Sequence, residues 1–102
     1  MFVYNEDVIR QIEGDVLKVV CKPIEMIAWF EKDGKIHPIR FRLKEDEENQ
    51  VIPIERIRCV KVEKLGGNKM YVFECESHFK GIMKIYEIKY EMDTCKWILF
   101  KI

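Results

Sequence analysis

The chain is poor in the residues from which active sites are assembled. Its 102 positions hold two histidines, His37 and His78, one serine, Ser77, and one threonine, Thr94. A hydroxyl nucleophile would have to be Ser77 or Thr94, and the adjacency of Ser77 and His78 does not by itself set an imidazole on a hydroxyl. Four cysteines, Cys21, Cys59, Cys75 and Cys95, include no CxxC pair and no histidine at ligand spacing, so zinc patterns find no support. They read as small apolar residues within strands rather than as a disulfide framework. The one glycine-rich element, Gly66-Gly67-Asn68, lacks the Lys-Ser/Thr partner of a phosphate loop and reads as a hairpin turn. The acidic run at residues 45–48 lacks the alternating ligands and central glycine of a calcium loop, and is expected to be a solvated loop. These shortages predict a protein that is not an enzyme and needs no metal or cofactor.

Long apolar runs are missing too. The longest spans residues 26–30, against the roughly 18 needed to cross a bilayer as a helix, so no membrane partner is expected. The first residues show no basic leader, apolar h-region or small-residue cleavage site, and the expected location is cytoplasmic. An excess of either charge is also lacking: eighteen Lys and Arg meet eighteen Asp and Glu, so no global field recruits nucleic acid. Any such surface must arise from uneven placement.

What the sequence does have is apolar content, 48%, enough for one domain's core and too much for a disordered chain. From Pro23 onward it reads as short alternating strands punctuated by turns. Residues 25–31 and 36–43 flank Asp33-Gly34, a strong hairpin signal. Ile39, Phe41 and Leu43 alternate with Arg40, Arg42 and Lys44, and Pro38 suggests an edge or strand-start position. Residues 54–64 resume alternation, but apolar parity changes between Ile57/Cys59 and Val60/Val62, which predicts a β-bulge near Cys59. Strands over residues 69–77, 82–92 and 95–102 follow. The expectation is mainly β: a six-stranded antiparallel meander forming a small SH3-like or OB-like barrel over residues 23–102, with a sandwich or half-barrel as the alternative. Residues 1–22 form an N-terminal extension. Val8, Ile12, Val16 and Val20 recur every four positions after Asn5, which predicts an amphipathic helix over residues 6–20.

The candidate site is basic. Arg40 and Arg42 share one strand face, and Arg56 and Arg58 are spaced identically on the next strand; if those strands pair, four guanidiniums converge. Such a face suits nucleic acid or an acidic partner. Against it stand Glu55, Glu63 and the acidic run, which could pair with the arginines on a solvated sheet. Trp29, Phe41, Tyr71, Phe73, Tyr86, Trp97 and the other strand aromatics sit at strand positions, and most of them are expected in the core.

Pro23, Ile24, Glu25, Gly34, Pro38, Arg40, Phe41, Tyr86, Glu87, Asp93, Trp97 and Leu99 together carry a resemblance. Over residues 22–102 the chain resembles a group of small bacterial β-rich proteins of unassigned function, often encoded near error-prone (Y-family) DNA polymerases. They share a Pro-Ile-Glu-Val start, an Arg-Phe-Arg-type strand and a closing Trp-x-Leu. The resemblance implies an accessory role in DNA damage tolerance and carries over no catalytic residue. Where members have a glycine-containing turn, this chain has Asp93-Thr94-Cys95. The expected function is thus a binding module, a DNA-repair or polymerase accessory that contacts DNA or a DNA-processing protein through Arg40, Arg42, Arg56 and Arg58. The alternative is a homo-oligomeric structural protein with no nucleic-acid ligand, suggested by exposed-looking Met70 and Val72 and by a last strand apolar on both faces.

Overall fold

The computed structural model describes residues 17–45 and 47–102. Its regular elements are seven antiparallel strands: β1 (Val19–Phe30), β2 (Ile36–Glu45), β3 (Glu48–Pro53), β4 (Arg56–Leu65), β5 (Asn68–Phe79), β6 (Ile82–Glu91) and β7 (Lys96–Lys101). Turn chemistry explains the hairpins. Gly34, at φ +97°, ends the β1–β2 turn, where Asp33 Oδ1 accepts the Lys35 amide at 3.1 Å. The two-residue loops Gly66-Gly67 and Lys80-Gly81 hold positive φ at both positions, the mirror-image turn whose twist suits a hairpin.

The strands form one sheet in the order β3-β2-β1-β7-β6-β5-β4. Chain neighbours are sheet neighbours everywhere except between β3 and β4, while the first and last strands pair with each other. The sheet therefore follows the course of an up-and-down barrel left unzipped at one seam. It curls strongly: the rings of Phe41 on β2 and Tyr86 on β6 lie 5.6 Å apart, although β1 and β7 separate their strands in the sheet. At one corner the two sheet ends meet through the connector Ile54-Glu55. The Ile54 amide extends the β2–β3 ladder by donating to Ile39 O at 2.9 Å, and the Glu55 amide begins the β4–β5 ladder by donating to Glu76 O at 3.1 Å.

Three expectations need correction. The sheet is open and seven-stranded, not a closed six-stranded barrel, because no ladder joins β3 to β4 among the described residues. The helix expected over residues 6–20 lies mostly outside the described residues, and where it does not, Val19 and Val20 open β1 as strand. The acidic stretch after Leu43 is not a loop, since Glu45 pairs with Glu48 and Lys44 with Asn49 in a tight hairpin that yields the unforeseen β3. Pro38 does stand near a strand start, as the third residue of β2 and ahead of Arg40, where pairing with β3 begins. It is buried opposite Ala28 in a central strand, where a register shift leaves Ile39 extra and so accommodates the missing donor.

The core lies on the concave face. Phe41, Leu43, Ile52, Phe73, Cys75, Tyr86, Ile88 and Leu99 are all at most 5% exposed and each alternates with outward residues along its strand. Burying each of the large ones contributes about 1.5–3 kcal/mol, and truncating Phe73 to Ala would cost about 3–5 kcal/mol through the cavity left. Tyr86 is the hub: Phe41 and Phe79 pack on its ring, and its hydroxyl meets that of Ser77.

Candidate partner-binding surface

The four arginines fall on two strands that are not neighbours. Arg40 and Arg42 stand on the convex face of β2, opposite Ile27 and Glu25 of β1 and Pro53 and Val51 of β3. Arg56 and Arg58 stand on β4 at the far end of the strand order, so the pairing that would have merged the four does not occur. The bulge lies between Ile57 and Cys59, which makes Arg58 the extra residue and separates its aim from that of Arg56. Arg58 Nε sits 3.5 Å from Glu76 and 3.8 Å from Glu74, while Arg42 Nε donates to Glu25 Oε1 at 2.7 Å. Arg40 and Arg56 have no carboxylate partner among the described residues.

Around Arg40 and Arg42 the convex face carries apolar side chains as well. Trp29 is 65% exposed, Val51 55%, Ile27 53% and Ile39 45%. A shallow depression of about 480 Å³ is bounded by Glu25, Ile27, Arg40, Arg42 and Val51. The Trp29 ring leans on His37, 5.6 Å between centroids, and His37 in turn is hydrogen-bonded to Glu31. That bond lowers the Glu31 carboxyl below its ordinary value. Residue type alone points Trp29 to the core. The signal that contradicts this is parity, because Trp29 and Ile27 share their strand face with Glu25 and Glu31.

The remaining chemistry is structural. Ser77 is fully buried, donates to Pro53 O at 2.7 Å and lies 2.5 Å from the Tyr86 hydroxyl, whereas neighbouring His78 faces solvent and holds Glu55. The two point to opposite faces, as adjacent strand residues must, and so do not form a nucleophile–base pair. Burial pushes the Cys75 thiol up to about 12, and Glu87 adds to the rise. Among the described residues no group of His, Cys, Asp and Glu is arranged to hold a metal ion, and no helix is long and apolar enough to cross a membrane. Of the last-strand and β5 residues expected to seek a partner, Val72 is buried and Met70 half-buried, covered within the chain. Compared with protein-family models, curated proteins and solved structures, the chain finds no match.

Proposed function

We propose that this protein is a non-enzymatic binding module whose contact surface is the convex face of β1–β2–β3, and that its partner is a protein. The observation that carries this reading is the juxtaposition of exposed Ile27 and Val51 with Arg40 and Arg42 around one depression, with exposed Trp29 two residues along β1 from Ile27 on the same strand face. Trp and Arg are the residues that dominate affinity at protein interfaces, and an apolar centre rimmed by charge is their usual setting. An exposed Trp and three exposed aliphatic side chains leave apolar area in water that a partner would cover. Nucleic acid fits less well, since Glu25 already answers Arg42 and Glu31 stands beside the Trp29–His37 pair.

The resemblance to proteins encoded beside error-prone DNA polymerases makes such a polymerase the first partner to test. Trp29→Ala and Arg40→Ala should each weaken binding to it at least tenfold in a calorimetric titration while leaving the melting temperature within a few degrees. A polymerase titration with no heat removes that partner. A rise in oligonucleotide anisotropy at low salt, abolished by Arg40→Ala, would replace the protein reading with a nucleic-acid one.

A further inference from the structure

The seam that keeps the sheet from closing leaves β4 as an edge strand, far in the strand order from the convex face of β1–β2–β3. It pairs with β5 alone, and β3, across the seam, meets β5 rather than β4. Its outer side can be read residue by residue. The two-residue loop Gly66-Gly67 makes Leu65 and Asn68 a hydrogen-bonded pair, and from there the alternate residues Glu63 and Lys61 turn their backbone groups to β5. Lys69, opposite Lys64, gives its carbonyl to the Met92 amide on the far side of β5, which agrees with that phase. The N–H and C=O groups of Val60, Val62 and Lys64 therefore face away from the sheet, where an added strand can pair with them. The core also runs out at this edge. Val60 and Val62 stand on the core face opposite Phe73 and Tyr71, yet they are 53% and 57% exposed, and Leu65 on the other face is 68% exposed.

A second copy of β4 fits that edge in one register. Antiparallel self-pairing that keeps both core faces on the same side pairs residues of equal parity, so its two-fold axis falls on a residue. An axis at Lys61, Glu63 or Lys64 sets like charges against each other, and one at Val60 brings Lys64 opposite Arg56 and runs the ladder into the bulge at Arg58. An axis at Val62 avoids all of these. On the core side Val62 then meets Val62, and Val60 meets the aliphatic stem of Lys64; on the other side Lys61 faces Glu63 and Cys59 faces Leu65, each mixed pair occurring twice by symmetry. Lys61 and Glu63 have partners in their own chain and keep room for another: Glu63 takes Lys89 through Oε1 alone, and an ammonium carries three donors. We propose that the free edge of β4 pairs with β4 of a second copy about Val62, continuing the core face of one sheet into the next. Residues 59–65 of each copy are well short of the roughly 20–30 residues a side of a standard interface, so the dimer should be reversible, with dissociation in the micromolar range.

Sedimentation velocity of the full chain over a concentration series should show a reversible monomer–dimer equilibrium. Amide hydrogen exchange read at low and high concentration gives the register: Val60, Val62 and Lys64 should slow at least tenfold in the dimer, while Lys61 and Glu63, already bonded to β5, should change little. Val62→Pro removes an outward N–H that no strand of the monomer uses, so it should weaken dimerisation at least tenfold and move the melting temperature of the dilute protein by no more than a few degrees. Lys61→Glu, which sets a like charge against Glu63, should weaken dimerisation about tenfold, and more at low salt. In Leu65→Cys, mild oxidation should link the introduced thiol to Cys59 of the second copy, as peptide mapping would show. Trp29→Ala should leave the dimer unchanged, which separates this edge from the convex face. A monomer at millimolar concentration, exchange slowed uniformly along the strand, or a dimer that survives Val62→Pro would each overturn the proposal. So would species that grow beyond a dimer, as a β4-to-β3 contact would make them, or a disulfide from the introduced thiol to Cys21 or Cys95 in place of Cys59.

Discussion

The Tyr86 hydroxyl lies 2.5 Å from Ser77 Oγ in the interior of the curled sheet. Ser77 spends its only proton on Pro53 O at 2.7 Å, so Tyr86 donates to Ser77, and one relay ties β6 to β5 and β5 to the end of β3. With the bonds from Glu55 to His78, it fastens β5 to the corner where the Ile54-Glu55 connector joins the two sheet ends. Replacing Ser77 by Ala leaves the Tyr86 hydroxyl and a partly buried carbonyl unpaired, which should cost about 1–3 kcal/mol. Tyr86→Phe leaves the Ser77–Pro53 bond intact and should cost less, about 0.5–1.5 kcal/mol. Urea melts give the order, and hydrogen exchange should quicken at Ile54 and Glu55 in Ser77→Ala specifically. Equal losses in the two variants would contradict the relay.

A second prediction concerns a cation on the convex face. Lys89 is 8% exposed, with its Nζ 3.0 Å from Glu63 Oε1 and 3.6 Å from the centroid of Phe100. Removing Glu63 strands a nearly buried charge, whereas Lys89→Met removes the charge and keeps the stem that covers its neighbours. Glu63→Gln should therefore destabilise by about 1–2 kcal/mol, reduced from the fully buried case because Glu63 is partly solvated, while Lys89→Met should stay within about 1 kcal/mol of the parent. A thermal melt in which Lys89→Met is the worse of the two would refute this.

Local signals in the sequence reach as far as local physics does. Asp33-Gly34 and Gly66-Gly67 mark their hairpins because positive φ is a property of the turn residues themselves, and the parity slip marks the bulge at Arg58 because a strand with one core face cannot change parity unnoticed. β3 is hidden for the converse reason: Glu48-Asn49-Gln50 alternates nothing apolar, since an edge strand beside a tight hairpin is solvated over much of its surface. The pairing of β1 with β7 is a contact across nearly the whole described chain, which no window of alternation encodes. For the candidate surface, the shared faces of Arg40/Arg42 are legible from spacing, but the distance between β2 and β4 in the sheet is set by that same non-local pairing. Trp29 is missed as a surface residue because residue type is allowed to outweigh the parity of Glu25.

The thiols offer a third prediction. Cys21 and Cys95 are exposed and Cys59 is half-buried, whereas Cys75 is 0% exposed with its thiol pushed up to about 12. The thiolate is the reactive form, so an aromatic disulfide reagent at pH 8 should release three equivalents readily and the fourth only at the rate of unfolding. Addition of urea should bring the fourth into the fast phase. Four fast equivalents from the native protein would contradict the burial of Cys75.

The β6–β7 turn gives a fourth. Cys95 sits at φ +59°, in the left-handed region that a side chain disfavours and glycine does not, and its Sγ makes a weak 3.8 Å contact with Met92 O and meets the Tyr90 side chain. Cys95→Gly relieves that strain but loosens the unfolded chain, for a net gain of at most about 1 kcal/mol, whereas β-branched Cys95→Val should lose stability. Chemical denaturation of the two variants decides it; a loss in Cys95→Gly comparable to that in Cys95→Val would show that the turn relaxes without glycine.

Acid stability follows from three carboxyls. Glu55 accepts the His78 amide at 2.6 Å and also the His78 ring, Glu31 is bonded to His37, and Glu91 accepts from Thr94 at 2.5 Å and Asn68 at 2.9 Å. Each of these bonds favours the ionised carboxylate, so all three groups titrate below their ordinary 4.5 in the folded protein. In the unfolded chain they return to that value. Between the native and unfolded values the unfolded chain binds more protons, so stability rises with pH there. The contribution is complete above about 4.5 and is lost as pH falls through the native values. The urea midpoint should therefore drop on going from pH 5 to pH 3, and Glu55→Gln should shallow that drop by removing the clamp on His78. Carbon NMR titration of the Glu55 carboxyl gives the direct check, and a native value at or above 4.5 would refute the assignment.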